Sequence, residues 1–135
     1  MQIQPYLFFN GRCAEAIAFY RTALGAEVEM LMRGRDCPEP PACMPPEAAD
    51  LVMHAALRIG EAVLLVSDGM ESGPARFQNF ALSLAVADEA EARQRFEALA
   101  EGGEIRMALD RTFFSPCFGT VTDRFGVAWM VIVPA

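Results

Sequence analysis

Apolar and polar positions along this chain follow a strand rhythm, then a helical one, then three more strand stretches, and the whole order occurs twice. Residues 5–9 (Pro-Tyr-Leu-Phe-Phe) are apolar and aromatic, which predicts a buried strand broken by Asn10-Gly11. Cys13, Ala16, Ile17, Tyr20, Ala23 and Leu24 then recur at helical spacing. Asn10 is placed to cap that helix, and Gly25 stands where a helix end favours a left-handed residue. Residues 26–33 read as a strand, and 51–59 and 61–67 as two more joined tightly at Gly60. Between them, residues 34–49 hold five of the nine prolines and predict a loop, either a lid or disordered.

The second pass begins after a linker at 69–78. Residues 79–86 alternate large and small side chains and predict a strand. Asp88 followed by Glu91 resembles a capping box, and Ala92, Phe96, Leu99 and Ala100 share one face of the helix behind it. Gly102-Gly103 ends that helix. Strands are expected at 104–108, 117–122 and 127–133, with a loop at 109–116 and a turn at Asp123-Arg124-Phe125-Gly126.

The halves also echo each other in residues. Ala14-Glu15-Ala16 matches Ala90-Glu91-Ala92, each followed by an aromatic, Tyr20 or Phe96. Ala26-Glu27-Val28-Glu29-Met30 matches Gly103-Glu104-Ile105-Arg106-Met107. Repetition of this kind indicates a duplicated supersecondary unit. The expected fold class is α+β: two βαβββ modules, about 1–68 and about 79–135, forming a curved mixed eight-stranded sheet within one domain. One sheet face takes the helices, and the other is expected to curl into a cup.

Composition narrows the function classes. The formal charge is −7, and all eleven basic residues are Arg. An acidic chain without a basic cluster argues against nucleic acid and against anionic membrane as partners. No apolar run approaches the roughly 20 residues that span a bilayer, and no secretory pattern opens the chain, so a cytoplasmic location is expected. The four cysteines, Cys13, Cys37, Cys43 and Cys117, contain no CxxC pair. They read as free thiols, although Cys37 and Cys43 flank the Pro-rich loop, where a disulfide or half a metal site is an alternative.

Several stretches resemble the PhnB-like (YjdN-type) proteins of the vicinal-oxygen-chelate superfamily, which includes glyoxalases, bleomycin-resistance proteins and dioxygenases. They are Pro5-Tyr6-Leu7-x-Phe9-Asn10-Gly11 with Ala16-x-x-Phe19-Tyr20, then Met53-His54-Ala55-x-Leu57-x-Ile59-Gly60 with Ser67-Asp68, and Phe118-Gly119-x-x-x-Asp123-Arg124-Phe125-Gly126-x-x-Trp129. The resemblance implies a glyoxalase-like fold, a small-molecule ligand in the cup and a homodimer. Some relatives carry a methyltransferase label, but no Gly-rich strand–turn–helix pattern supports methyl transfer.

Metal-dependent members of that superfamily hold a divalent ion on the first and last strands of each half. Carried onto this chain, the ligand positions fall on Pro5 (give or take one), Leu64 or Leu65, Ala81 and Met130. None of these side chains holds a hard or borderline divalent ion. No metal and no other cofactor is therefore expected, the alternative being a divalent metal at atypical ligands such as His54 with Cys or Asp. Period-two alternation turns Ala81, Ser83 and Ala85 to the cup, along with Pro5, Leu7 and Phe9, and with Ala128, Met130 and Ile132. Trp129 then faces the helix.

Phe9, Ser67, Ser83, Phe114, Phe118 and Met130 are accordingly the expected ligand-binding residues. His54 is the sole histidine and the candidate acid/base; the bland alternative is a half-buried histidine satisfied by a neighbour. Ser67-Asp68 and Asp123 also fit plain turns. Two functions follow: metal-free binding of a small molecule in an apolar cup, or an enzyme acting on a small oxygenated or hydrophobic metabolite through His54.

Overall fold

The computed structural model describes residues 1–36 and 48–135. Cys37, Cys43 and most of the Pro-rich loop lie outside the described residues. The chain forms two compact units, Met1–Ala75 and Arg76–Ala135.

The first unit contains β1 (Tyr6–Phe8), α1 (Cys13–Leu24), β2 (Glu27–Arg33), a short 3-10 turn (Gly34–Asp36), β3 (Val52–Ile59) and β4 (Ala62–Ser67). The second contains β5 (Leu82–Ala85), α2 (Glu89–Ala100), β6 (Glu104–Asp110), β7 (Cys117–Thr122) and β8 (Ala128–Val133). Each unit is a βαβββ module with a four-stranded mixed sheet, ordered β1-β4-β3-β2 and β5-β8-β7-β6. In both, the first strand runs parallel to the last and the other pairings are antiparallel. The register repeats as well. Leu7 pairs with Val66 and Leu84 with Val131; all four face their unit's helix, and Val66 and Val131 are fully buried.

Helix α1 buries the stripe its spacing predicts, and α2 buries all of its own but Ala100, which is half-buried. On α1, Cys13, Ala16, Ile17, Tyr20, Ala23 and Leu24 are all buried, and the Tyr20 ring packs against Phe9. On α2, Ala92, Phe96 and Leu99 are buried. Burying each large apolar side chain contributes roughly 1.5–3 kcal/mol. Gly25 ends α1 in the left-handed conformation at φ 65°. Gly119 lies on the helix-facing side of β7, where an added Cβ would stand 2.9 Å from both the Met107 carbonyl oxygen and the Phe96 ring.

The capping of α2 follows the sequence: Asp88 Oδ1 accepts from the Glu91 amide at 2.8 Å, and Glu91 Oε1 accepts from the Ala87 amide at 3.1 Å. The start of α1 does not. Asn10 adopts a left-handed backbone (φ 47°) and its side-chain amide donates to the Gly73 carbonyl. The capping acceptor comes from 55 residues away. Asp68 Oδ1 accepts from the amides of Gly11 (2.9 Å) and Cys13 (2.8 Å), while Oδ2 accepts from the amide of Val52 (2.8 Å). One buried carboxylate thus ties the end of β4 to the start of α1 and the start of β3. Burial, with the negative charge of Asp68 beside it, pushes the Cys13 thiol up to about 12.

Asp123 plays a comparable part in the second unit. Its Oδ1 accepts from the amides of Phe125 (2.9 Å) and Val127 (3.1 Å), and its Oδ2 from the Trp129 indole at 2.9 Å. Arg12, a cation at a helix start, makes an ion pair with Glu15 at 3.1 Å. It thereby draws a carboxylate to the positive end of the dipole.

Candidate functional site

Each sheet packs one face on its helix and leaves the other open. On the second sheet the alternation read from sequence holds. Ser83 and Ala85 are exposed, Met130 and Ile132 half-buried, and Trp129 buried on the helix side. Ser83 stands in register with Met130, and Met130 with Thr120. Phe118 pairs with Ile132 and is buried beneath Phe114, their ring centroids 5.0 Å apart. Phe114 in turn meets Phe113, whose ring is fully exposed.

On the first sheet the alternation of β1 is the reverse of expectation. Leu7 and Phe9 are the core residues, at 2% and 1% exposure, while Tyr6 and Phe8 occupy the open face at 37% and 50%. Phe9 is therefore packed on Tyr20 under the helix and is not available to a ligand on the open face. Pro5 precedes the strand; its carbonyl accepts from the Leu65 amide at 3.0 Å. The residue beside Leu65 on the open face is Tyr6. Leu64 is buried toward the helix.

This correction brings together groups that the sequence keeps 48 residues apart. The Tyr6 hydroxyl lies 2.8 Å from His54 Nδ1. The rings of Tyr6 and His54 are 5.5 Å apart, and Tyr6 stacks on Phe8 with centroids at 4.8 Å and an interplanar angle of 25°. His54 is half-buried on β3, with Met32 of β2 in register beside it. Ser67 pairs with Phe8 and is buried; its hydroxyl accepts from the Gly69 amide at 3.2 Å. At that point Gly69 takes φ 70°, and an added Cβ would meet the Phe8 ring at 3.0 Å. The open face thus presents a wall of Tyr6, Phe8, Leu65 and Met32 around one imidazole.

Of the inherited metal positions, Pro5 and Ala81 precede β1 and β5, Leu64 is buried toward the helix, and Leu65 and Met130 stand in register with Tyr6 and Ser83. A phenol, two apolar side chains and an aliphatic hydroxyl do not supply the His, Glu or Gln donors that such an ion requires. Nor do three His, Cys, Asp or Glu side chains converge among the described residues. Cys13 and Cys117 are buried free thiols away from the open faces, and burial raises Cys117 as well.

Known proteins share this fold. The model of the Glyoxalase/Bleomycin resistance protein/Dioxygenase superfamily matches residues 2–131. Protein YjdN of Escherichia coli (strain K12) is 39% identical over 98% of this chain and 95% of its own length. The crystal structure of protein PA1353 from Pseudomonas aeruginosa is 43% identical and superposes with a TM-score of 0.87 over 99% of this chain and 98% of that one. A Bacillus cereus PhnB protein, described as a putative 3-demethylubiquinone-9 3-methyltransferase, shares the fold at a TM-score of 0.80 and 24% identity, over 98% and 99% of the two chains. With its paired βαβββ modules and a family match spanning nearly its whole length, the chain belongs to the glyoxalase/bleomycin resistance protein/dioxygenase superfamily and is related to YjdN.

Proposed function

We propose that the open face of the first sheet binds a small, mainly apolar molecule, with His54 as its polar contact and without a metal. The observation that carries this reading is the 2.8 Å Tyr6–His54 hydrogen bond set among exposed stacked aromatics. Apolar area covered there stabilises a complex by about 25 cal/mol per Å² before the cost of association. Among the described residues no helix is long and apolar enough to cross a membrane, and a cytoplasmic role in metabolite handling fits that. Ser83, Met130 and Phe114 are the corresponding contacts on the second sheet, with Phe118 supporting Phe114 from beneath. A homodimer fits too: β2 is an edge strand with exposed Val28, Met30 and Leu31, a surface that a second copy would cover.

The experiment is a chemical-shift titration of the methyl groups of Met30, Met32 and Leu65 with small aromatic molecules, with mass spectrometry of the probe afterwards. Saturable shifts with the probe recovered unchanged support binding. No shift at any of the three methionine and leucine positions would refute it. The second reading is an enzyme acting on a small oxygenated metabolite with His54 as acid/base, favoured by the polar partner that holds the ring. It requires a product, and a product whose formation survives His54→Ala would end it. Methyl transfer has no support in this chain, which lacks a Gly-rich cofactor turn. Light scattering at twice the chain mass tests the dimer.

A further inference from the structure

We propose that Tyr6 is a positioning residue that holds the neutral His54 ring in one tautomer, with the proton on Nε2, so that the open face offers a ligand an N–H donor. The inference deepens the binding reading by naming the ligand class: a molecule with an apolar body and one acceptor oxygen, such as a carbonyl or carboxylate.

The argument starts from the contact itself. A phenol oxygen and an imidazole nitrogen 2.8 Å apart share one proton between them. The phenol is the stronger acid of the two neutral groups and the imidazole nitrogen the stronger base. The favoured arrangement is therefore O–H donating to Nδ1. Among the described residues the Tyr6 hydroxyl has no other acceptor, so turning the bond round would leave its hydrogen to solvent alone. With Nδ1 as acceptor, the single proton of the neutral ring resides on Nε2.

Nε2 has no hydrogen-bond partner among the described residues, and His54 is half-buried on the open side of the sheet. Met32 stands in register with it on β2, and the Tyr6–Phe8 stack lies across the sheet. A donor in such a setting discriminates, because an oxygen that accepts from it replaces water at little cost while a methylene in the same place leaves it without a partner. The ring itself is constrained at one nitrogen by Tyr6, which lies on a different strand, so the donor is aimed before a ligand arrives.

His54 is the only histidine, so a long-range ¹H–¹⁵N spectrum of the protein contains one imidazole and needs no assignment. On the pH plateau where the ring is neutral, the expected pattern is a protonated Nε2 and an unprotonated, hydrogen-bonded Nδ1. Tyr6→Phe keeps the stacked ring and removes the hydroxyl, and the two nitrogen shifts are expected to move toward one another as the tautomers mix. A neutral ring protonated on Nδ1, or a Tyr6→Phe spectrum identical to wild type, overturns the proposal. The ligand arm compares acetophenone with ethylbenzene, which differ at one oxygen. Acetophenone is expected to bind about threefold to tenfold tighter, the worth of one net hydrogen bond, and to move the Nε2 resonance. Equal binding of the two overturns the ligand class. Binding of neither, with the expected tautomer observed, counts against the binding face itself while upholding the role of Tyr6.

Discussion

Asp68→Ala is expected to be among the most damaging single changes in the first unit. The carboxylate accepts three backbone N–H groups, from Gly11, Cys13 and Val52. The bonds to Cys13 and Val52 are buried, whereas the Gly11 bond is partly open. Removing the acceptor leaves two buried amides unsatisfied at about 1–3 kcal/mol each, while Gly11 turns to water, so the expected loss is about 2–6 kcal/mol. That is a large fraction of the roughly 5–15 kcal/mol that holds an ordinary domain together. Asp68→Asn separates the contributions. Its amide oxygen can keep the place of Oδ1, which serves Gly11 and Cys13, but its NH₂ then faces the Val52 N–H, donor against donor. About half the damage is expected. Urea unfolding followed by far-UV circular dichroism reads both variants as midpoint shifts at constant slope. A loss below about 1 kcal/mol for Asp68→Ala, or an Asn variant as poor as the Ala variant, would show that the three bonds are not what holds α1 and β3 to β4.

Three further outcomes are expected. Above pH 9, the ordinary thiol value, unfolded Cys13 ionises while the folded thiol, raised to about 12, stays protonated. Stability is therefore full below pH 9 and falls as pH rises toward 12, by up to about 4 kcal/mol over three pH units; Cys13→Ala should flatten that alkaline limb in urea titrations at stepped pH. Asp123→Asn should lower the thermal midpoint by several degrees, because one face of the amide must present N–H groups to the Trp129 indole or to the Phe125 and Val127 amides, at about 1–3 kcal/mol. Gly119→Ala forces a methyl against the Met107 carbonyl and Phe96, and a loss of about 1–3 kcal/mol is expected by chemical denaturation; an unchanged midpoint would mean α2 is free to back away.

How far the sequence disclosed this depended on contrast between the two sides of each element. On β5, Leu82 and Leu84 alternate with Ser83 and Ala85, and the alternation declares which side packs on the helix. Residues 5–9 are apolar throughout, so period two has nothing to read, and the parity assigned to Phe9 came out reversed. The place of Tyr6 on the open face is hidden in the sequence for the same reason. Its partner His54 is on β3, two strands away in the sheet order β1-β4-β3, a proximity that only the parallel pairing of β1 with β4 creates. The start of α1 shows the other limit. Asn10 is the local capping residue by type, but the acceptor that serves the helix arrives from Asp68, and local patterns carry no signal for a cap across 55 residues.

The division of the chain at Ala75 and Arg76 has a practical consequence. The only histidine lies in the first unit and the only tryptophan in the second. Duplication left each half with its own intrinsic reporter, an imidazole resonance at His54 and an indole emission at Trp129 buried against Asp123. The melting of either half can thus be followed in the unaltered protein. Coincidence of the two transitions would mark a single cooperative unit, and separation would mark halves that fold on their own account.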